Sequence, residues 1–87
     1  MKGVSLYVFG SFLTSDSPSD IDLLWVYEAD MDVRMVMAYV RGQEARWSEK
    51  SGRPFHSTVL SSGEESENGF VSAVGAIRIG SIDELFH

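Results

Sequence analysis

The chain has 87 residues, no cysteine and a formal net charge of −6 at pH 7. Its length supports one domain with a modest core, and the 44% of hydrophobic residues argues against disorder. The negative charge argues against broad nucleic-acid binding, the missing cysteines exclude disulfides, and no apolar run is long enough to cross a membrane. With no signal peptide at the N-terminus, we expect an intracellular, cytoplasmic protein without membrane association.

The first half of the chain predicts two strands and a long helix. Val4–Phe9 is the first strand, residues 12–15 form at most a short helical turn, and Ile21–Tyr27 is a second strand that reads as buried on both faces. Asp30 is a possible N-cap for a helix that begins near Met31. Apolar residues at helical spacing share one face of that helix: Val33, Val36, Met37, Val40 and Trp47.

The second half predicts alternating strands and helices. Gly52 closes the long helix, and Pro54 precedes a third strand, Phe55–Leu60. The sequence from Ser61 to Glu65 is typical of a capped helix start; a short strand within residues 76–80 and a capped turn at 81–85 follow. We therefore predict a single domain, 1–87, of the α/β (α+β) class, with a small mixed sheet of three to four strands flanked by helices.

Gly10-Ser11 and Asp20-Ile21-Asp22 stand out as a group that could carry chemistry. Strand side chains alternate between faces, so Asp20 and Asp22 project to the same side, roughly 7 Å apart along the strand. Two such carboxylates can converge on a hard divalent cation such as Mg2+. A glycine allows close approach to the backbone, and a serine at a helix start can hold an anion.

This arrangement resembles the defining motif of the polymerase-β-like nucleotidyltransferase superfamily, and most of all its single-domain minimal nucleotidyltransferases, several of which serve as antitoxins. The resemblance implies a nucleotidyltransferase-like fold that binds an NTP with Mg2+ or Mn2+. It implies that Asp20 and Asp22 bind the metal and act in catalysis, and that Gly10 and Ser11 bind the β- and γ-phosphates. The implied acceptor is a hydroxyl, often on a helical HEPN-type toxin.

Each part of the motif also has an ordinary structural interpretation. Gly10-Ser11 could be a plain turn, and Asp20 could accept backbone hydrogen bonds within the Ser-Pro-Ser-Asp turn. Asp22 is harder to explain in this way, because a carboxylate in a strand buried on both faces is costly unless it is paired or bound to metal.

The third strand departs from the family pattern. Active relatives usually carry a third carboxylate there, and the position that matches best is His56. A histidine can bind metal, with a preference for Zn or Mn over Mg, or act as a base near neutral pH. It could equally be a strand-edge residue without a catalytic role. The family's usual N-terminal helix also has no counterpart before Val4.

Two function classes follow. In the first, the chain is a metal-dependent nucleotidyltransferase that moves NMP from an NTP to a hydroxyl, with His56 in place of the third acid. In the second, it is a catalytically impaired binding module or antitoxin that acts through protein contacts, so whether it is an enzyme stays open.

Charge and exposed apolar surface both point to partners. Five of the seven basic residues lie between Arg34 and Arg53, which is either the solvated face of a helix or a surface for an acidic partner or an NTP reached by Arg46, Lys50 or Arg53. We expect a homodimer, or a heteromer with a helical partner, through Val4–Phe9 or Val74–Ile79.

Overall fold

The chain forms four strands and three helices in a computed structural model that describes residues 2–10, 21–52, 54–81 and 84. The strands are β1 (Val4–Phe9), β2 (Ile21–Tyr27), β3 (Phe55–Ser61) and β4 (Ile77–Ile79). The helices are α1 (Val33–Ser51), α2 (Ser62–Asn68) and α3 (Phe70–Val74). The predicted turns at residues 12–15 and 81–85 lie wholly or largely outside the described residues, as do Ser11, Asp20 and Arg53.

The four strands form one mixed sheet in the order β3-β2-β1-β4. β1 is antiparallel to both β2 and β4, while β2 and β3 run parallel because α1 returns the chain to the start of β3. The Ile21 amide also donates to the Pro54 carbonyl at 3.1 Å, which aligns the first residues of β2 and β3. The predicted class, a small mixed sheet flanked by helices, is confirmed.

The core lies between α1 and one face of the sheet. Ile21, Leu23 and Trp25 alternate along β2 and are at most 2% exposed, as period-two alternation requires of a covered face. They meet the apolar stripe of α1, in which the buried residues are Val36, Val40 and Trp47. Trp25 keeps its ring nitrogen satisfied, since Nε1 donates to Ser57 Oγ at 3.0 Å.

The opposite face of the sheet lies towards α2 and α3. Leu24, on this face of β2, is fully buried. The ring of Phe70 in α3 meets the ring of Phe9 in β1 edge to face, with centroids 5.4 Å apart. β2 is therefore buried on both faces along its middle, as its sequence predicts.

α1 begins two residues later than predicted, and its cap is Asp32. The Asp32 side chain accepts a hydrogen bond from the Arg34 amide at 2.9 Å. Asp30 is instead part of a turn closed by a bond from the Met31 amide to the Glu28 carbonyl. The prediction of Asp30 as the cap is wrong because this turn delays the first helical residue. Gly52 ends the helix in the left-handed conformation, as predicted.

A capping box starts α2. Ser61 Oγ accepts from the Glu64 amide, and the Glu64 carboxylate accepts from the Ser61 amide at 2.9 Å. The predicted capped start is therefore confirmed. Gly69 adopts φ 59° and separates α2 from α3.

The strand order revises one of the two segments predicted for self-association. β1 pairs with β2 on one side and β4 on the other, so it is an interior strand and offers no free sheet edge; association through its apolar surface stays a prediction. β4 is the edge strand on that side, and Ile77 is 54% exposed. Only the second predicted segment, Val74–Ile79, keeps apolar surface at a sheet edge.

None of the helices in the described part of the chain is both long enough and apolar enough to cross a membrane.

The capping box makes the stability depend on pH. The hydrogen bond from the Ser61 backbone, and then the bond with the Ser61 side chain, hold the pKa of Glu64 below its ordinary value of 4.5. A carboxyl whose pKa is lowered on folding stabilises the protein above its unfolded pKa, and this contribution is lost as the pH falls through the folded pKa. We expect Glu64→Ala to lower the free energy of unfolding at pH 7 and to make little difference well below pH 4.5.

The measurement is urea unfolding of both proteins at a series of pH values. Glu67→Ala is the matched control, because Glu67 lies in the same short helix but outside the capping box. A stability difference for Glu64→Ala that stays constant from pH 7 to acid would contradict the role of the ionised carboxylate.

Candidate functional site

Asp22 and His56 are direct neighbours in the sheet. The parallel pairing of β2 and β3 sets Asp22 opposite His56, and the antiparallel pairing of β1 and β2 sets Phe9 opposite Asp22. Paired residues project to the same face, so Phe9, Asp22 and His56 form a row across three strands. This row lies on the face opposite α1, and the contact between Phe9 and Phe70 gives it an apolar wall at one end.

Gly10 brings the end of β1 against the carboxylate of Asp22. Gly10 has φ +77°, a conformation that residues with a side chain rarely adopt. A Cβ placed there would overlap Asp22 Oδ2 and lie 3.2 Å from Asp22 Cγ. The absence of a side chain at Gly10 therefore leaves the space that the Asp22 carboxylate occupies.

Asp22 is less buried than its sequence context suggested. It is half-buried, and no polar or charged residue of the described chain is fully buried. The interpretation of Asp22 as a carboxylate within a strand buried on both faces is wrong at this position. Ile21 and Leu23 on the α1 face are fully buried, whereas the opposite face, which covers Leu24, leaves Asp22 partly exposed. Its desolvation cost is correspondingly smaller, and its position does not by itself require a bound cation.

His56 is exposed at the edge strand β3 and faces the same side as Asp22. His56 is the position that best matches the third carboxylate of the family in the sequence. It is also the residue that the register of β2 and β3 pairs with Asp22. β3 carries no Asp or Glu. An imidazole and a carboxylate therefore share this end of the sheet.

The two side chains are a partial donor set for a divalent cation. A carboxylate and an imidazole suit Mn2+, while Mg2+ is commonly held by one or two carboxylates together with substrate phosphates. Asp22 and His56 fit a cation that also takes oxygen ligands from a bound nucleotide. Among residues 2–10, 21–52, 54–81 and 84, no three His, Cys, Asp or Glu side chains form a group able to hold a metal alone.

The structure brings together three of the five predicted site residues: Gly10, Asp22 and His56. Ser11 and Asp20 lie outside the described residues, and their roles stay predictions. Sequence reasoning missed Phe9 and Phe70 as the apolar wall beside Asp22. The alternation of β1 could have placed Phe9 on that face, but the contact with Phe70 depends on how α3 packs.

Comparisons with models of protein families, with curated proteins and with solved structures found no significant match.

Because the Asp22 carboxylate lies against Gly10, we expect Gly10→Ala to lower the free energy of unfolding more than an alanine substitution at a glycine with open space around it. Gly52 has a similar φ, +69°, but open space around its Cβ position. Gly52→Ala should therefore lose about 1–2 kcal/mol from backbone strain alone. Gly10→Ala should lose about 1–3 kcal/mol more, because its methyl group displaces the Asp22 carboxylate.

Chemical denaturation of both variants measures this difference. In an Asp22→Ala background the excess cost at Gly10 should disappear, because the overlapping atoms are gone. Equal costs at the two glycines would show that the Asp22 carboxylate does not rest against Gly10.

Proposed function

We propose that this protein is a metal-dependent nucleotidyltransferase that transfers NMP from an NTP to an acceptor hydroxyl. The observation that carries the proposal is the pairing of Asp22 with His56 on one sheet face, beside the side-chain-free backbone of Gly10. The motif that resembles the minimal nucleotidyltransferases supplies the reaction class. Asp20 and Ser11 would complete the metal and phosphate contacts.

In the reaction, the acceptor oxygen forms a bond to the α-phosphorus, the bond to the β-phosphate oxygen breaks, and pyrophosphate leaves. The bound cation would neutralise charge that develops on the phosphates. His56 would stand in the place of the third acid beside the cation, and the proton of the acceptor hydroxyl would leave to solvent. Asp22 would hold the cation from the space that Gly10 leaves for its carboxylate, and Gly10 and Ser11 would contact the phosphates.

The acceptor in this proposal is a hydroxyl of a partner protein, such as the helical HEPN-type toxin that the resemblance implies. The chain would work as a homodimer or in a heteromer with that partner, and β4 offers the exposed Ile77 at a sheet edge. The lack of cysteine suits a reducing compartment, so the proposal places the protein in the cytoplasm.

A second function is favoured by the missing third acid. β3 has no carboxylate, although active members of the family that the motif resembles usually carry one there. The same site would then bind a nucleotide and cation without transfer, and the protein would act as a binding module or antitoxin. Incubation with labelled ATP, GTP, CTP and UTP, with Mg2+ or Mn2+ and lysate of its own host, separates the two functions by whether label is transferred.

Binding of a cation and an NTP should raise the melting temperature. A ligand at a hundredfold excess over its Kd stabilises a protein by about 2.7 kcal/mol. Asp22→Asn keeps the side-chain shape but removes the charge, and should abolish most of this shift. Asp30→Asn is the control, because it removes one charge in a turn away from the sheet.

Differential scanning fluorimetry with a non-hydrolysable NTP and Mg2+ or Mn2+ measures the shift. A shift in Asp22→Asn as large as in the native protein would show that Asp22 does not hold the cation, and would refute the proposed site.

Replacing His56 tests its place in the donor set. His56→Asp supplies a hard oxygen ligand and should strengthen Mg2+ binding relative to Mn2+. His56→Asn is similar in size to the Asp variant but uncharged, so it should not reproduce the gain. Calorimetric titration of both cations in the presence of NTP gives the ratio of their Kd values; an unchanged ratio in His56→Asp would exclude His56 from the metal site.

A further inference from the structure

We propose that a cavity on the sheet face opposite α1 binds a small zwitterion, such as a free amino acid, between Arg78 and Glu28. The cavity has a volume of ≈ 240 Å³ and lies beside the residues where β1 begins and β2 ends. Among its lining residues are Gly3, Ser5, Val26, Glu28, Ser62 and Arg78. It is smaller than the range of about 300–1,000 Å³ that is usual for drug-sized ligands, so we expect a ligand with few heavy atoms.

The strand registers place the Arg78 side chain on this face of the sheet. Tyr7 in β1 is paired with Leu24 in β2 and with Arg78 in β4. Residues that are paired across strands project to the same face, and Leu24 lies on the face opposite α1. Ser5 and Val26 are likewise paired and lie two residues further along the same strands, so they form the floor of the cavity. Arg78 therefore lines the cavity from the side of β4.

Glu28 supplies a negative charge at the end of the cavity where β2 stops. Its amide donates to the Gly3 carbonyl at 2.9 Å, which extends the pairing of β1 and β2 by one pair. Gly3 has φ +86°, and a Cβ placed there would lie 3.3 Å from Glu28 Oε2. The Glu28 carboxylate thus lies against the backbone of Gly3, which itself lines the cavity.

Arg78 and Glu28 do not neutralise each other. Both are exposed, and neither forms an ion pair with any residue that the structure describes. Arg78 is paired with Tyr7, whereas Glu28 lies against Gly3, which is roughly 13 Å from Tyr7 along β1. The cavity therefore has a cation and an anion that are separated along the strand direction.

A zwitterion suits this pair of charges better than a ligand with a single charge. A guanidinium binds a carboxylate through paired, charge-assisted hydrogen bonds, and a carboxylate binds an ammonium group through charge-assisted hydrogen bonds. A ligand with only a carboxylate is attracted by Arg78 but repelled by Glu28, and the reverse holds for an amine. Between the charges, Val26 offers apolar contact for a carbon chain, and the hydroxyls of Ser5 and Ser62 can donate or accept hydrogen bonds.

The acidic residues of the neighbouring helix α2 have partners of their own. The Glu64 carboxylate is held in the capping box, and Glu65 accepts a hydrogen bond from the Val71 amide at 3.2 Å. Glu28 is the acid among the described residues that line the cavity. The lining does not include Gly10, Asp22 or His56, which lie at the opposite end of the paired strands, so this inference is independent of the proposed function.

The test compares amino acids with analogues that carry only one of the two charges. The amino acids are glycine, β-alanine and 4-aminobutyrate, whose charges lie progressively further apart. Each is matched by the carboxylate without its amino group and by the amine without its carboxylate, all in EDTA and without nucleotide. Titrations of the full chain are followed by the NMR signals of its backbone amides. We expect at least one amino acid to bind about tenfold more tightly than both of its analogues, with the largest shifts at Ser5, Val26 and Arg78.

Variants assign each charge of the ligand to its residue. Arg78→Gln should reduce the preference for the amino acid over the amine to less than about twofold, and Glu28→Gln should do the same for the preference over the carboxylate. Arg41→Gln and Glu67→Gln remove exposed charges outside the lining and should leave both preferences unchanged; the amide spectrum of each variant confirms its fold.

Three results would overturn the proposal. The first is that no amino acid of the series binds more tightly than its single-charge analogues, or that none binds at about 20 mM. The second is that the control variants lose the preference as much as Arg78→Gln and Glu28→Gln do. The third is that the largest shifts fall on residues away from the cavity.

Discussion

The burial of β2 on both faces fixes the position of Asp22 between β1 and β3. Leu23, Leu24 and Trp25 are between 0% and 2% exposed, with Leu24 on one face and its two neighbours on the other. A one-residue slip of β2 would turn Leu24 towards α1 and move Leu23 and Trp25 to the opposite face. The register of β2 with β1 and β3 is therefore set by apolar packing. The position of Asp22 thus depends on the packing of Leu23, Leu24 and Trp25, which have no chemical role.

The same packing explains why the site lies at the end of the strand. The interior of β2 has no room for a charge, because its side chains are covered by helices on both sides. One residue from the start of β2, Asp22 is covered less and stays half-buried. There the adjacent backbone belongs to Gly10, and a residue with a Cβ would collide with the carboxylate. The position of the Asp22 carboxylate thus requires a glycine at position 10.

Elements with a strong periodic pattern could be predicted from the sequence, while features that depend on competing local interactions could not. β1 and β2 have the predicted bounds because each is a mostly apolar run bounded by glycine or turn residues. The cap of α1 was assigned to Asp30 because two aspartates lie close together, and only the turn from Glu28 to Met31 decides between them. The interior position of β1 depends on the pairing of β4, a three-residue strand whose partner no local pattern identifies.

The pairing of Asp22 with His56 could be predicted from the sequence, but the exposure of Asp22 could not. Pairing of Asp22 with His56 follows from the register of two parallel strands, and a motif comparison selected His56 without knowledge of that register. The exposure of Asp22 could not be read from its apolar neighbours, because it depends on where the sheet ends in space.

Separation of the proposed nucleotide region from the core region under α1 follows from the sheet itself. Phe9 and Asp22 belong to one face, whereas Leu6 and Trp25 belong to the other, yet all four residues lie on the paired strands β1 and β2. Side chains on opposite faces do not compete for space, so each region can change without displacing the other. A substitution that shifts the register would disturb both at once, because each region takes its alignment from the same pairs. Loss of stability together with loss of the proposed nucleotide binding would therefore indicate a change in strand pairing, and loss of that binding alone a change in side-chain chemistry.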